Sequence, residues 1–379
     1  MSPLDLARPW KLVGAIAFLF LFVQNRPFTH RNLVAKKRFA PNWRMGTHLE
    51  GDSVDCIIKD LADCSLLFRS GSRVAQNLNN KKWRTLVTRI GRGQCTPFLG
   101  AGVNDQTILP LGGTIAETWA DENQYPLEDR YDLARVAQYL AITGLDPMDC
   151  KDDLCERWFT NVPLPDFNDA KNPLGLLADL PLPLYITTNY DSLLYKALRL
   201  KGRDPIREFC RWNDHPQILS RKSVWEGNAG YRPIKDAPVV YHLHGIDEVR
   251  PSLVLTEDDY IDFLVRISQP ANKLLPAFIQ EAMAGTSLVF IGYRMADWTF
   301  RVLFRGLVNA SPKGLQRVSM AVQLPPGKNA EEQERIQNYL DAYYGSMQTL
   351  VFWGTAEEFT EKLRKSCEDE GIIPSRGPA

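Results

Sequence analysis

Leu184-Tyr185-Ile186-Thr187-Thr188-Asn189-Tyr190-Asp191 passes from apolar to polar within one short segment. Val239-Val240-Tyr241-His242-Leu243-His244-Gly245 does the same further along. The apolar halves are short and rich in β-branched and aromatic residues, as buried strands are. Polar groups just past the C-terminal ends of strands are where an open α/β sheet places its ligand chemistry. A third strand, Cys95 to Leu99, ends in the glycine turn Gly100-Ala101-Gly102.

Working outward, Leu288 to Gly292, Val318 to Val322 and Thr349 to Trp353 read as further core strands, with a closing helix from Ala356 to about Cys367. From Gly113 to about Phe159 the pattern is helical, with Leu133, Val136, Ala137 and Leu140 on one face. Pro163, Pro165, Pro173, Pro181 and Pro183 separate that block from the next strand, and 201–237 reads as a polar excursion. Strands alternating with helices predict an α/β fold with a doubly wound, mostly parallel, Rossmann-like sheet. The expected organisation is a basic and apolar leader at 1–45 and an N-terminal helical extension at 46–88. A catalytic domain follows at 89–368, with a helical insertion at about 113–175, and then a tail at 369–379.

Composition sets outer limits. The chain has 379 residues, with 44% hydrophobic and 24% charged, ordinary for a globular protein. Lys plus Arg and Asp plus Glu both number 45, so net charge makes no case for nucleic-acid binding. The seven cysteines lack the spacing of a structural zinc site, and a reducing, cytoplasmic setting is the natural expectation. Leu12 to Val23 is an apolar run between basic flanks, shorter than a membrane span and followed by no signal-cleavage pattern. No membrane partner is therefore expected. The alternative is an N-terminal anchor with the domain in the cytoplasm, or a start-site artefact with Met45 as the true beginning.

Each candidate site residue has a structural reading beside its chemical one. The glycine turn lets a backbone approach a pyrophosphate, with the next helix's N–H groups facing it, but it also suits a tight strand–helix connection. Asn189 and Asp191, two apart, can address one ligand, and Asn and Asp after a strand are also favoured helix caps. His242 and His244 share a face of an extended chain, yet no Cys or His follows until Cys367 and no third ligand is evident. Thr256 and Asp259 form a capping-box pattern, which takes Glu257-Asp258-Asp259 away from catalysis. Asp297 reads as a cap for a helix beginning at Trp298, and Gly292-Tyr293 sits where an adenosine could rest on the sheet's rim.

The ordered set Gly100–Gly102, Thr187–Asp191, His242–Gly245, Leu255–Tyr260 and Phe290–Asp297 resembles the sirtuin-like domain family, most nearly its prokaryotic antiviral-defence branch. The resemblance implies a sirtuin-like NAD site with His244 as catalytic base and Asn189 and Asp191 around the nicotinamide ribose. It implies cofactor contacts from Gly100, Ala101, Gly102, Asn104, Thr188, Gly292 and Tyr293. Asn104 stands where the family commonly has serine. Deacylating sirtuins carry a four-cysteine zinc module after the His-Gly motif; here that interval has no cysteine. The implied reaction is therefore hydrolysis of NAD to nicotinamide and ADP-ribose, with NAD as substrate and no zinc. The implied setting is antiphage defence by NAD depletion, released by a partner or an invasion signal. A homo-oligomer and a translocase-type ATPase or Argonaute-like defence partner are implied as well, with nucleic acid reached only indirectly. The alternatives are a non-catalytic nucleotide-binding scaffold and a subunit of a DNA-processing nuclease or ATPase complex.

Overall fold

Seven parallel strands form one sheet in the order β3-β4-β2-β1-β5-β6-β7. The computed structural model describes residues 80–268, 274–293, 317, 319–327, 329–345 and 349–375. The leader, residues 46–79 of the expected extension and the expected cap Asp297 lie outside the described residues.

The strands are β1 (Cys95–Leu99), β2 (Leu184–Thr187), β3 (Ile206–Phe209), β4 (Val239–His242), β5 (Ser287–Ile291), β6 (Ser319–Gln323) and β7 (Thr349–Trp353). Both faces of the central strands are covered, so they read as continuous apolar runs. Tyr185, Val240, Val289 and Ile291 join one core, while Leu184, Ile186, Tyr241, Leu288 and Phe290 join the other. This is the alternation that pleated strands impose. Pro97 in the central strand has a physical resolution. The ladder from β1 to β2 begins only at Phe98, one residue past the proline that has no N–H to give.

Helices fill the connections: α1 (80–91), α2 (Gly112–Glu122), α3 (Leu133–Thr143), α4 (Asp149–Leu154), α5 (Pro173–Asp179) and α6 (Leu193–Leu200). After β4 come α7 (Glu257–Ser268), α8 (Ala277–Gly285), α9 (Ala330–Gly345) and α10 (Ala356–Asp369). A π-helical turn, Cys155–Phe159, extends α4. α10 begins with a reciprocal capping box between Thr355 and Glu358. No helix among the described residues is long and apolar enough to cross a membrane.

Two expectations need correction. The excursion at 201–237 contains β3, whose Ile206-Arg207-Glu208-Phe209 pairs with β4 at the sheet's edge. Its charges hid it, and both are paired: Glu208 accepts from the Val224 N–H at 2.7 Å and meets Arg211 at 3.0 Å. The proline-rich stretch also holds α5, started by Pro173 at its first turn and capped by the Asn172 side chain on the Gly175 N–H at 2.8 Å.

The helical insertion builds its own core from Ile115, Trp119, Val136 and Leu154, and this core takes in Leu253 and Leu255 from the segment after β4. Lys151 fastens the same segment. Its buried ammonium donates to the Leu253 carbonyl at 2.9 Å and pairs with Asp259 at 2.9 Å. The insertion is thereby fixed beside the C-terminal ends of β2 and β4.

Candidate active site

A cleft of about 2030 Å³ opens at the C-terminal ends of the strands, against the insertion. That exceeds the usual range of a small-ligand pocket and leaves room for a dinucleotide. Asn189, Asp191, His244, Ala101, Gly102, Asn104, Thr188, Gly292 and Tyr293 all line it. Gly100 alone of the candidates does not.

The glycines of the turn have a packing role between strand ends. A Cβ on Gly100 would lie 2.7 Å from the Gly292 carbonyl oxygen, and one on Gly102 would lie 3.1 Å from the Gly292 Cα. Gly292 has φ +81°, and its own Cβ would fall 2.4 Å from the Val103 nitrogen. The ends of β1 and β5 therefore interlock backbone to backbone, which only glycine permits. The turn's N–H groups are also largely taken: Gly100 donates to Ile291, Gly102 to Gly292, Val103 to Gly100 and Asn104 to Ala101. After β1 the chain makes only a three-residue 3₁₀ turn, Ala101–Val103. The longer helix whose N-terminal residues line the cleft is α2, through Gly112, Gly113 and Thr114. The sequence pattern started this helix at Gly113, one residue from its observed first residue.

Asn189 donates through Nδ2 to the Gly100 carbonyl at 3.2 Å, and its own N–H goes to Thr187 Oγ1 at 3.0 Å. Asp191 is buried and holds one donor on each oxygen, the Leu193 N–H at 2.9 Å and the Asn104 amide at 2.9 Å. It thus accepts the first N–H of α6 and lines the cleft at once. Burial raises its carboxyl above the usual range, while the Leu193 and Asn104 bonds act in the opposite direction. Asn104, in the family's serine position, is thus tied to Asp191.

Tyr293 is a strap across strand ends. Its hydroxyl donates to the Leu99 carbonyl at 2.8 Å and meets Thr188 Oγ1 at 2.7 Å, and its ring packs 5.6 Å from that of Phe98. The Thr188 and Tyr293 hydroxyls are therefore engaged with each other.

The two histidines part company. His242 donates from Nδ1 to the Asn189 carbonyl at 2.7 Å and accepts from Arg207 Nε at 3.2 Å on Nε2, so its tautomer is set. Burial, reinforced by the Arg207 charge, holds it well below the ordinary imidazole range. His244 is 5% exposed, with its ring edge-on to Tyr260 and Phe263 at 5.3 and 5.1 Å. Its Nε2 is buried without a hydrogen-bond partner. Burial lowers its pKa to about 3. The buried imidazole is therefore neutral across the physiological range. Among the described residues, no cluster of His, Cys, Asp or Glu could hold a metal ion. The Thr256–Asp259 capping box is present, with the two reciprocal bonds at 3.2 and 3.0 Å.

Sequence reasoning missed Arg207 on β3 and the aromatic pair behind His244. It also missed Arg135 of α3, which meets Glu257 at 3.2 Å on the cleft's insertion side. Burial raises the Glu257 carboxyl in spite of that neighbour.

Residues 183–345 match the family model described as the SIR2-like domain. Four of the five motifs noted above fall inside that span and the glycine turn lies before it, so the sirtuin-like resemblance is borne out there. The chain is 26% identical over 209 residues to NAD(+) hydrolase ThsA of Cytobacillus dafuensis, covering 53% of this chain and 35% of the relative. It is 26% identical over 204 residues to NAD(+) hydrolase ThsA of Bacillus cereus (strain MSX-D12), covering 53% and 37%. With NAD(+) hydrolase ThsA of Acinetobacter baumannii (strain 532279) the identity is 22% over 215 residues, covering 56% and 39%. The chain thus matches little more than a third of the length of these relatives.

Proposed function

We propose that this chain, whose residues 183–345 match the SIR2-like domain, cleaves the nicotinamide–ribose bond of NAD to give nicotinamide and ADP-ribose. The observation that carries the reading is the buried, unpartnered Nε2 of His244 in a cleft shared with Asn189. A buried polar nitrogen without a partner costs free energy, and a ligand hydroxyl or water bonded at that point would remove the cost. The names of the ThsA relatives support the same substrate.

The chemistry asks little of the protein. Nicotinamide in NAD is cationic and leaves neutral, so no general acid is required, and the transition state is oxocarbenium-like, as in glycoside cleavage. The residues must place a water, accept its proton and favour a cationic sugar. In this proposal Asn189, its Nδ2 committed to Gly100, offers Oδ1 to the water or to the nicotinamide carboxamide. Asp191 lends negative charge beside the ribose. His244 Nε2 accepts from the water or from a ribose hydroxyl. The N-terminal end of α2 and the Ala101 N–H face the pyrophosphate. Gly292 lies on the adenosine side.

The biological reading is an antiphage effector acting by NAD depletion in the cytoplasm, in the manner of abortive infection. It works as a homo-oligomer restrained until a partner, such as a translocase-type ATPase or Argonaute-like protein, releases it. The test is nicotinamide release from NAD by purified protein, alone and with the products of neighbouring genes. Turnover by the wild type that Asn189→Ala and His244→Ala each reduce at least about 100-fold supports the proposal. NAD binding without nicotinamide in every condition would instead favour a nucleotide-binding scaffold and overturn it.

A further inference from the structure

Arg207 sits on an edge strand, with two strands between it and β1, yet its side chain is only 8% exposed. Each guanidinium nitrogen is spent on the framework of the cleft. Nε donates to His242 Nε2 at 3.2 Å, and His242 passes the contact on by donating from Nδ1 to the Asn189 carbonyl at 2.7 Å. Nη2 donates to the Tyr190 carbonyl at 2.6 Å. Nη1 pairs with Asp247 at 2.8 Å and with Glu248 at 3.1 Å. The Asp247 N–H returns to the same Tyr190 carbonyl at 3.1 Å.

Two chain segments therefore converge on one cation. The first is Asn189-Tyr190, following β2. The second is Asp247-Glu248, just past His244-Gly245. A second tie between them lies further on, where the Tyr190 hydroxyl donates to the Val254 carbonyl at 2.6 Å and the Val254 N–H donates to the His244 carbonyl at 2.9 Å. A buried ion pair is a poor device for stability alone, since desolvation cancels most of the attraction; its best-attested use is to set a register. A guanidinium fork donates in several fixed directions at once, which a lysine's point charge does not reproduce.

We infer that Arg207, acting with His242 as its intermediary, is a positioning residue that holds the Asn189 segment and the His244 segment at the spacing NAD cleavage requires. The inference rests on the assignment of Asn189 and His244 as the residues that meet the substrate. Neither Arg207 nor His242 lines the cleft, so their effect is transmitted through backbone carbonyls.

The experiment compares wild type with Arg207→Gln and Arg207→Lys in the full chain. In steady-state NAD hydrolysis, Arg207→Gln should lower kcat about 100-fold, the scale of an ångström-sized misplacement, with KM changed by less than about threefold. In a third variant, Arg207→Ala, which leaves space for the ion, millimolar guanidinium should restore part of the lost kcat and leave the wild type unaffected. Amide hydrogen exchange gives a readout independent of turnover. The Asn189 and Asp247 N–H groups should exchange at least about tenfold faster in Arg207→Gln, while β1 and α10 keep their protection. Should Arg207→Gln fail to melt cooperatively, Arg207→Lys carries the same two measurements. Wild-type kcat in a folded variant, or unchanged exchange at both segments, overturns the inference. A wild type that never turns over NAD defeats the functional reading instead, and the exchange data alone then decide the positioning role.

Discussion

Replacing His244 by phenylalanine should flatten the pH dependence of stability on the acid side. Phenylalanine keeps an aromatic ring against Tyr260 and Phe263 and removes only the titrating nitrogens. In the folded protein burial lowers this imidazole to about 3. In the unfolded chain it returns to about 6.5. Below that value the unfolded state takes up a proton that the folded state refuses. The group's contribution is therefore intact above about pH 6.5 and declines as pH falls toward the folded value. At about pH 5 the difference is roughly one and a half logarithmic units, or about 2 kcal/mol. Urea denaturation of both proteins at about pH 7.5 and about pH 5 measures it. The wild type should lose about 2 kcal/mol more than His244→Phe across that interval. His242, also held low, titrates in both proteins and cancels from the comparison. Equal losses would refute the reasoning: His244 would then protonate in the folded state near its ordinary value, and its role as a neutral acceptor would be wrong.

Gly245→Ala should destabilise by about 3 kcal/mol or more in denaturant melts, because alanine would be strained at φ +88° and its Cβ would lie 2.1 Å from the Ser252 oxygen. A loss below about 1 kcal/mol would show that the Ser252 turn yields easily. Tyr293→Phe deletes the hydroxyl that joins Leu99 to Thr188 and should cost about 1–2 kcal/mol in the same assay; unchanged stability would mean that this strap is idle. Lys151→Met leaves the Asp259 carboxylate with the Leu255 and Thr256 N–H donors of its own turn, and should cost about 3 kcal/mol. An Asp259→Leu partner change should recover much of that loss, and a double variant as unstable as the single one would contradict a paired role.

Much of the architecture was legible from the sequence because the central strands are buried on both faces and read as unbroken apolar runs. β7 falls at the expected residues, Thr349–Trp353. β3 was hidden because Arg207 and Glu208 are charged, and only tertiary partners explain their burial. α5 was hidden by prolines that elsewhere end helices but at the first turn begin one. The candidate site was legible as a set of strand ends, and the cleft gathers nine of its ten residues. What the sequence could not disclose is how each is used. The turn's glycines answer to Gly292, Asp191 to the start of α6, and Tyr293 to Leu99 and Thr188. Nor could spacing reveal that His242 is bonded on both nitrogens while Nε2 of His244 is buried without a partner.

The central claim is that water attacks NAD in this cleft with Asn189 and His244 in attendance. The direct measurement is mass spectrometry of the products formed from NAD in ¹⁸O-labelled water, with the protein in its activated state. Free nicotinamide and ADP-ribose carrying one labelled oxygen at the anomeric carbon, formed by the wild type and lost in Asn189→Ala and His244→Ala, is the predicted result. Unlabelled ADP-ribose, intact NAD, or equal labelling in all three proteins would contradict it.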